Sequence, residues 1–438
     1  MCLHVTLIIS IPLAIIMKQT FYALTIILLL NSCKEQKRVI EKINFITEYK
    51  FSSEIEKEIL KESSGHFDVS SSHTMPKDEK GVPLWKYQQA ASEYSKKGDY
   101  KNALIQWDLA MRTKEKNFTK IQIDSINLKY SKVNANDYII EQAKNNQVII
   151  INEAHHNSFH RVFTKSLLKE LFDNGYTNLG LETLNYQDSL INIRKYPNQT
   201  TGTYSKEPQF GNLVRTALEI GYTLFPYETK VFENSTTESR EKEQAKNIQN
   251  VIESKPNEKF LIHCGYDHNL EGIHPAWGNT MASRLIEYTG INPLTINQVK
   301  YSEGSKREFN NPLLKSLDIK ESTIILDQDE KPYKYERGES WTDIAVFHPN
   351  TEYVNNRPTW LFKNGNQNIP IALTDIEITF PVMVLAFKKG EDINIAVPID
   401  ITEVKSKTEN CNLGLKKGKY EIIVTNGEQS FKFEQNVK

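Results

Sequence analysis

Apolar residues fall in three different rhythms along this chain. In residues 85–116 they recur at three- and four-residue steps, with Tyr87, Ala90, Ala91 and Tyr94 on one segment and Ala103, Leu104, Trp107, Ala110 and Met111 on the next. That spacing predicts two amphipathic helices, and Lys97-Gly98-Asp99 supplies the turn between them. At Gln147 the pattern changes to a continuous β-branched run, QVIII, which suits a strand buried on both faces of a parallel sheet. Phe159, Val162, Phe163, Leu167, Leu168, Leu171 and Phe172 then return to helical spacing, and Asn174-Gly175 provides a stop. Residues 178–184 (NLGLETL) read as a second strand. Strand, loop, helix and strand in that order predict a right-handed βαβ unit. Residues 222–225, 259–263, 294–297, 323–326 and 343–347 predict further strands, and 241–254 and 278–288 predict helices. After residue 355 the rhythm becomes short alternating runs broken by turn clusters, including Asn426-Gly-Glu between two strands, a hairpin signal. This last region, 355–438, is expected to be a small antiparallel β-sandwich of immunoglobulin-like type, serving spacing or docking.

The N-terminus carries an address. Met17-Lys18-Gln19 opens a basic region, residues 21–30 are almost wholly apolar, and Leu29-Leu30-Asn31-Ser32-Cys33 puts small polar residues before a cysteine. Residues 1–32 therefore read as a secretory signal, with Met17 the expected translation start. By resemblance to bacterial lipoproteins, Cys33 would be lipidated, which implies a membrane partner reached through that anchor and a cell-envelope location. Residues 34–84 are expected to be a tether and a short helix. The stretch ASEYSKKGDYKNALIQWDLA resembles one tetratricopeptide repeat; because arrays need about three units to stand alone, residues 85–130 are read as a helical cap. Lys+Arg 54 against Asp+Glu 55 leaves no global field to attract nucleic acid. Four cysteines far apart form no CxxC pair, so Cys264 and Cys411 read as buried single thiols.

In parallel sheets ligands sit beyond the carboxyl ends of the strands, and here those ends carry chemistry. Glu153, His155 and His156 follow the first strand, Glu182 ends the second, Glu228 follows the third, and His263 and His268 lie at the end of the fourth. Of the ten histidines in the chain, six (His155, His156, His160, His263, His268, His274) lie in this span. Neutral imidazole accepts a proton or binds a cation near pH 7, so the rim suits hydrolysis by activated water. In that reading His156 is the base, Glu153 and Glu182 orient and balance it, and His263 or His268 serves the leaving group. His155, His160, Glu228 and Arg240 are candidate substrate-binding residues. No Gly-x-Ser-x-Gly elbow occurs, which argues against a serine nucleophile.

The segments VIIINEAHHNSFHRVFTKSLLKELFDNGYTNLGLETL, SREKEQAKNIQNVIE, KFLIHCGYDHNLEG and WGNTMASRLIEYTGINPL resemble the erythromycin esterase branch of the Tiki-type superfamily, with ChaN-like and TraB-like relatives. Glu153 and His156 match the family's first element, Glu182 the second, Arg240 and Glu241 the third, and His263 and His268 the last. The resemblance spans residues 137–354 and implies an α/β domain with a mainly parallel sheet and flanking helices, acting on a small-molecule or peptide substrate. It also implies that Glu153, His156, Glu182 and His268 could hold a divalent metal, as in the metal-dependent Tiki proteases, or that the protein binds haem or metal without turnover, as ChaN-like proteins do. Asn152 stands where the family has Gly, and His263 and His268 are spaced more widely than the esterase pair.

Overall fold

The computed structural model describes residues 38–61, 76–230 and 236–438, so the expected signal at 1–32 and the lipidation site Cys33 lie outside the described residues. The fold is mixed α/β, with one parallel sheet, several antiparallel ones, and helices. The parallel sheet contains six strands: β1 (Val148–Glu153), β2 (Tyr176–Leu181), β3 (Thr223–Pro226), β4 (Lys259–Gly265), β5 (Leu294–Asn297) and β6 (Ile344–Ala345). Their order is β6-β5-β1-β4-β2-β3, and every pairing is parallel.

The unbroken apolar runs are explained by what covers the two faces. Ile149, Ile151, Leu179, Leu181 and Leu261 point into one core with Phe163, Leu167 and Leu171 of helix α3 (Phe159–Asp173) and Leu213, Val214 and Ala217 of helix α4 (Pro208–Ile220). Val148, Ile150, Phe260 and Ile262 point the other way, against Ala245, Ile248 and Ile252 of helix α5 (Thr237–Ser254) and Met281, Ala282 and Leu285 of helix α6 (Met281–Thr289). Each such aliphatic side chain contributes roughly 1.5–3 kcal/mol on burial, so neither face of a central strand tolerates a polar run.

β1 and β2 are parallel, as expected, but they are not neighbours, because the chain runs out to the edge through β2 and β3 and returns to insert β4 between β1 and β2. The register then sets Glu153 beside Gly265 and Leu181 beside His263. Glu182, next after Leu181, therefore arrives at the same carboxyl edge as Glu153.

Two helices, α1 (Leu84–Lys96) and α2 (Tyr100–Met111), form the hairpin expected from the first apolar rhythm. Asp99 caps α2 by accepting from the amide of Asn102. Several expected elements differ. Residues 323–326 pair antiparallel with Ser131–Asn134, outside the parallel sheet. The expected helix over 278–288 starts at Met281, because Gly278–Asn279 forms the edge of a four-stranded antiparallel sheet with Glu271–His274, Glu339–Thr342 and Tyr335–Arg337. These strands are two to four residues long, too short to leave a periodic signature.

The expected boundaries of the tether and the C-terminal sandwich need correction. Glu41–Ile43, expected in a tether over 34–84, is the edge strand of the C-terminal antiparallel sheet, whose order is Glu41–Ile43, Ser430–Val437, Gly418–Thr425, Val382–Lys388, Asp400–Val404. Phe45 and Tyr49 are buried with Leu385 and Phe387 of that sheet. Nor does the chain separate at residue 355. Arg357 donates to the carbonyls of Gly98 and Ile401 and pairs with Asp400, and Lys97 pairs with Glu403, so the helical hairpin and the C-terminal sheet are stitched by buried ions. The described residues from Glu41 to Lys438 form one unit. Asn426 makes the expected hairpin turn, accepting from the amides of Glu428 and Gln429. Cys264 and Cys411 are buried free thiols, and among the described residues no helix is long and apolar enough to cross a membrane.

Candidate active site

Glu153 ends β1, facing the core edge, and is 1% exposed. An isolated carboxylate there would be costly. It is held by Arg161 of α3 through two parallel bonds, Nε to Oε2 at 2.6 Å and Nη2 to Oε1 at 2.7 Å. Burial alone would raise the Glu153 pKa, but the charge and bonds of Arg161, reinforced by His155, hold it well below the usual carboxylate range. Arg161 is fully buried and its third arm reaches Glu207 at 3.0 Å. Glu207 caps α4 by accepting from the amides of Gln209 and Phe210 and receives the Tyr100 hydroxyl at 3.1 Å.

His155 lies where this buried cluster meets a cleft of about 1060 Å³. Its Nδ1 is 2.9 Å from Glu153 Oε1, and its ring is stacked on Tyr204 with centroids 3.6 Å apart. The opposite edge of the ring passes over Gly265. A Cβ at that position would sit 2.5 Å from His155 Cε1, 2.7 Å from Nε2 and 3.2 Å from Glu182 Oε2. Only a residue without a side chain allows this imidazole and this carboxylate to approach the same backbone atom.

Glu182 lines the cleft. One oxygen takes the Gly265 amide and the other takes Arg240 Nη2 at 2.7 Å. Burial would raise its pKa, but His268, His155 and Arg240 together lower it. Arg240, in the first turn of α5, is shared with Glu228, which follows β3; its Nε lies 3.0 Å from Glu228 Oε1. His268, from the turn after β4, points Nε2 at Glu182 Oε1, 3.8 Å away, while its Nδ1 is 2.9 Å from Glu241 Oε2. Burial works against the proton on His268, yet Glu182 and Glu241 more than offset it and its pKa is raised. Glu241 also accepts the Met281 amide at the start of α6. Tyr204, Tyr266, Tyr186 and Trp277 complete the aromatic wall.

The expected residues do not all meet. His155, Glu182, Glu228, Arg240 and His268 line the cleft, and Glu153 sits directly behind His155. His156, expected to be the base, points the other way: it is stacked on Trp107 at 4.0 Å, 5% exposed, its Nδ1 buried without a partner, and burial lowers its pKa to about 3. The two histidines lie in the turn just past β1, which sends their side chains to different sides, and here the cleft side belongs to His155. His263 lies in the core below Glu153, its Nε2 3.7 Å from Oε2, with burial lowering its pKa to about 4. His160, expected to bind substrate, is buried and accepts the Ala154 amide, which fixes the turn after β1.

Asn152 supports the turn after β4. Its amide braces the Tyr266 carbonyl at 2.6 Å and accepts the Gln298 amide at 2.9 Å. Tyr266 needs that support because its φ of +43° is a left-handed conformation, costly for a non-glycine residue.

The donor set does not fit a metal. Both Glu153 oxygens are occupied by a guanidinium, Glu182 is shared between a guanidinium and a backbone amide, and His156 faces away. Among the described residues no group of three or more His, Cys, Asp or Glu side chains has an arrangement that could hold a metal ion.

Arg161 and Glu207 were missed in the sequence. Arg161 reads there as one polar position in an amphipathic helix; the Glu-Pro pair at 207–208, a cap followed by proline at the first helical position, was a usable signal.

No protein-family model matches the chain, and no curated protein matches it. Among solved structures, the type III effector HopBA1 aligns with 49% of this chain and 94% of its own at 11% identity and a TM-score of 0.33. RRSP, a MARTX toxin effector domain from Vibrio vulnificus, aligns with 48% of this chain and 44% of its own at 15% identity and a TM-score of 0.27.

Proposed function

We propose that this protein is an exported, lipid-anchored hydrolase that cleaves an ester or amide bond with water activated at His155. The observation that carries the reading is the Glu153–His155 pair, 2.9 Å apart, opening onto the cleft beside Glu182. Glu153, kept ionised by Arg161, holds the proton on His155 Nδ1 and leaves Nε2 to accept one from water. His268, whose proton is retained to higher pH than that of an ordinary imidazole, returns a proton to the leaving group. Arg240, a cleft-lining cation with 30% of its side chain exposed, faces the negative charge that develops on the attacked carbonyl. The order of strand-end motifs that resembles the erythromycin esterase and Tiki-type proteins supports the same class of reaction, and the order basic residue, apolar run and Cys33 supports the anchor.

The test uses protein extracted from membranes and screened against a broad panel of esters and amides. Wild type is expected to turn over at least one of them. His155→Ala is expected to lower kcat/KM by about 10²- to 10⁴-fold while the thermal transition stays in place. A His155→Ala protein as active as wild type, or no turnover across the panel, overturns the reading. Mass spectrometry of the same sample reads the anchor: a lipid adduct on Cys33 supports it, and an unmodified Cys33 overturns it.

A further inference from the structure

The helical hairpin touches the candidate site at three points. Ser95 of α1 shares a hydrogen bond of 2.9 Å with Ser158, the residue before α3. Tyr100, at the start of α2, donates to Glu207, the far end of the Glu153–Arg161 cluster. Trp107, further along α2, lies against both residues whose orientation decides which histidine faces the cleft. Its indole stacks on His156 at 4.0 Å and 13°, and on Tyr266 at 5.7 Å and 17°. Tyr266 in turn presents its ring edge-on to His155 at 5.0 Å and 87°, and Tyr204 covers the His155 face at 3.6 Å.

We infer that Trp107 is a positioning residue for His155, acting through Tyr266 and His156. The inference rests on the reading of His155 as the base. An imidazole can be oriented by its hydrogen-bond partner and by its ring contacts. Glu153 fixes one nitrogen, which leaves rotation of the ring about that bond to be settled by packing. Tyr204 and Tyr266 settle it, and Tyr266 is held in a left-handed backbone conformation by the Asn152 brace on one side and Trp107 on the other. The same indole covers His156, whose ring is turned away from the cleft and kept neutral by burial. The hairpin therefore belongs to the machinery of the site, although it precedes the parallel sheet in the chain and does not line the cleft.

Two variants separate stacking from bulk. Trp107→Phe keeps an aromatic face, and Trp107→Leu fills most of the volume without one. Against a substrate found for the wild type, Trp107→Leu is expected to lower kcat by about ten- to a hundredfold with KM within about twofold, since misplacing a catalytic group by about 1 Å costs rate more than binding. Trp107→Phe is expected to restore most of that loss. In parallel, the ring-proton NMR titration of His155, assigned by comparison with His155→Gln, is expected to shift in Trp107→Leu and to stay close to wild type in Trp107→Phe. The titration needs no substrate, so it tests positioning even if His155 proves not to be the base. A His155 titration unchanged in a folded Trp107→Leu protein overturns the inference, as does an equal fall in kcat for both variants.

Discussion

Two clusters of the same composition, one dry and one wet, stand side by side at the edge of the parallel sheet. Glu153–Arg161–Glu207 is closed, with side-chain exposures of 2%, 0% and 1%. Glu182–Arg240–Glu228 opens on the cleft, with exposures of 9%, 30% and 13%. Each places one guanidinium between two carboxylates, and each takes a glutamate from a strand end. Solvent separates their roles. In the dry cluster the ions have no water to exchange with, so the geometry is fixed, and what it fixes is the histidine that Glu153 holds. In the wet cluster Arg240 and Glu182 border space that a ligand can enter, so these groups can trade a protein partner for a bound one.

Removing the central cations should break this comparison most sharply. Arg161→Met leaves two carboxylates buried without a counter-charge and is expected to cost about 3–5 kcal/mol of stability, read as the shift in a urea unfolding curve. A loss under about 1 kcal/mol would mean that the buried cluster relaxes as easily as an exposed one.

A pH series should show a smaller effect on the same side. His263 and His156, beside the dry cluster, and His348, in the core beyond it, have pKa values pushed down to about 4, 3 and 3 from 6.5 by burial. The unfolded chain binds these protons near pH 6.5 while the folded chain refuses them, so the unfolded state gains as pH falls, and stability declines through the window from 6.5 downward. Between pH 7 and pH 6 the loss is on the order of 0.5–1 kcal/mol per imidazole. His268, beside the wet cluster, works in the opposite sense: its raised pKa adds stability that is fully present below pH 6.5 and disappears as pH rises through the folded value. His268→Gln should therefore abolish the gain in stability seen on lowering the pH toward 6.5 and leave the slope below 6.5 as in wild type, read by thermal unfolding; an unchanged slope above pH 6.5 would remove that histidine from the account.

Arg240→Met should cost less stability than Arg161→Met, because Arg240 is partly exposed and water can reach the carboxylates it leaves, while activity on any substrate found should fall. Equal unfolding midpoints for the Arg240 and Arg161 variants would erase the distinction between the clusters.

The carboxylates of the site were legible because a β-branched run announces a buried strand, and the residues just past the end of such a run land on the binding edge. Glu153, Glu182 and Glu228 came from that rule alone. Arg161 was hidden because a helix shows only its period, and the contact that matters runs from the helix back to the preceding strand end. The choice between His155 and His156 was hidden for a finer reason: both lie in the turn after β1, and the path of that turn, which has no periodicity, decides which one meets the cleft and which the core. The order of the strands was not legible either. Insertion of β4 between β1 and β2 brings Gly265 beside Glu153, and packing sets that adjacency between residues far apart in the chain. Trp107 belongs to the same class, an indole on a helix whose own spacing accounts for it fully.

The pairing of Glu41–Ile43 with Ser430–Val437 has a consequence for biogenesis. Glu41–Ile43, the first strand among the described residues, must wait for a partner far along the chain, a long-range closure of the kind that slows folding. The ladder can form only once Ser430–Val437 has been made, and the edge left bare is Ser430–Val437 without Glu41–Ile43 but Gly418–Thr425 without Ser430–Val437.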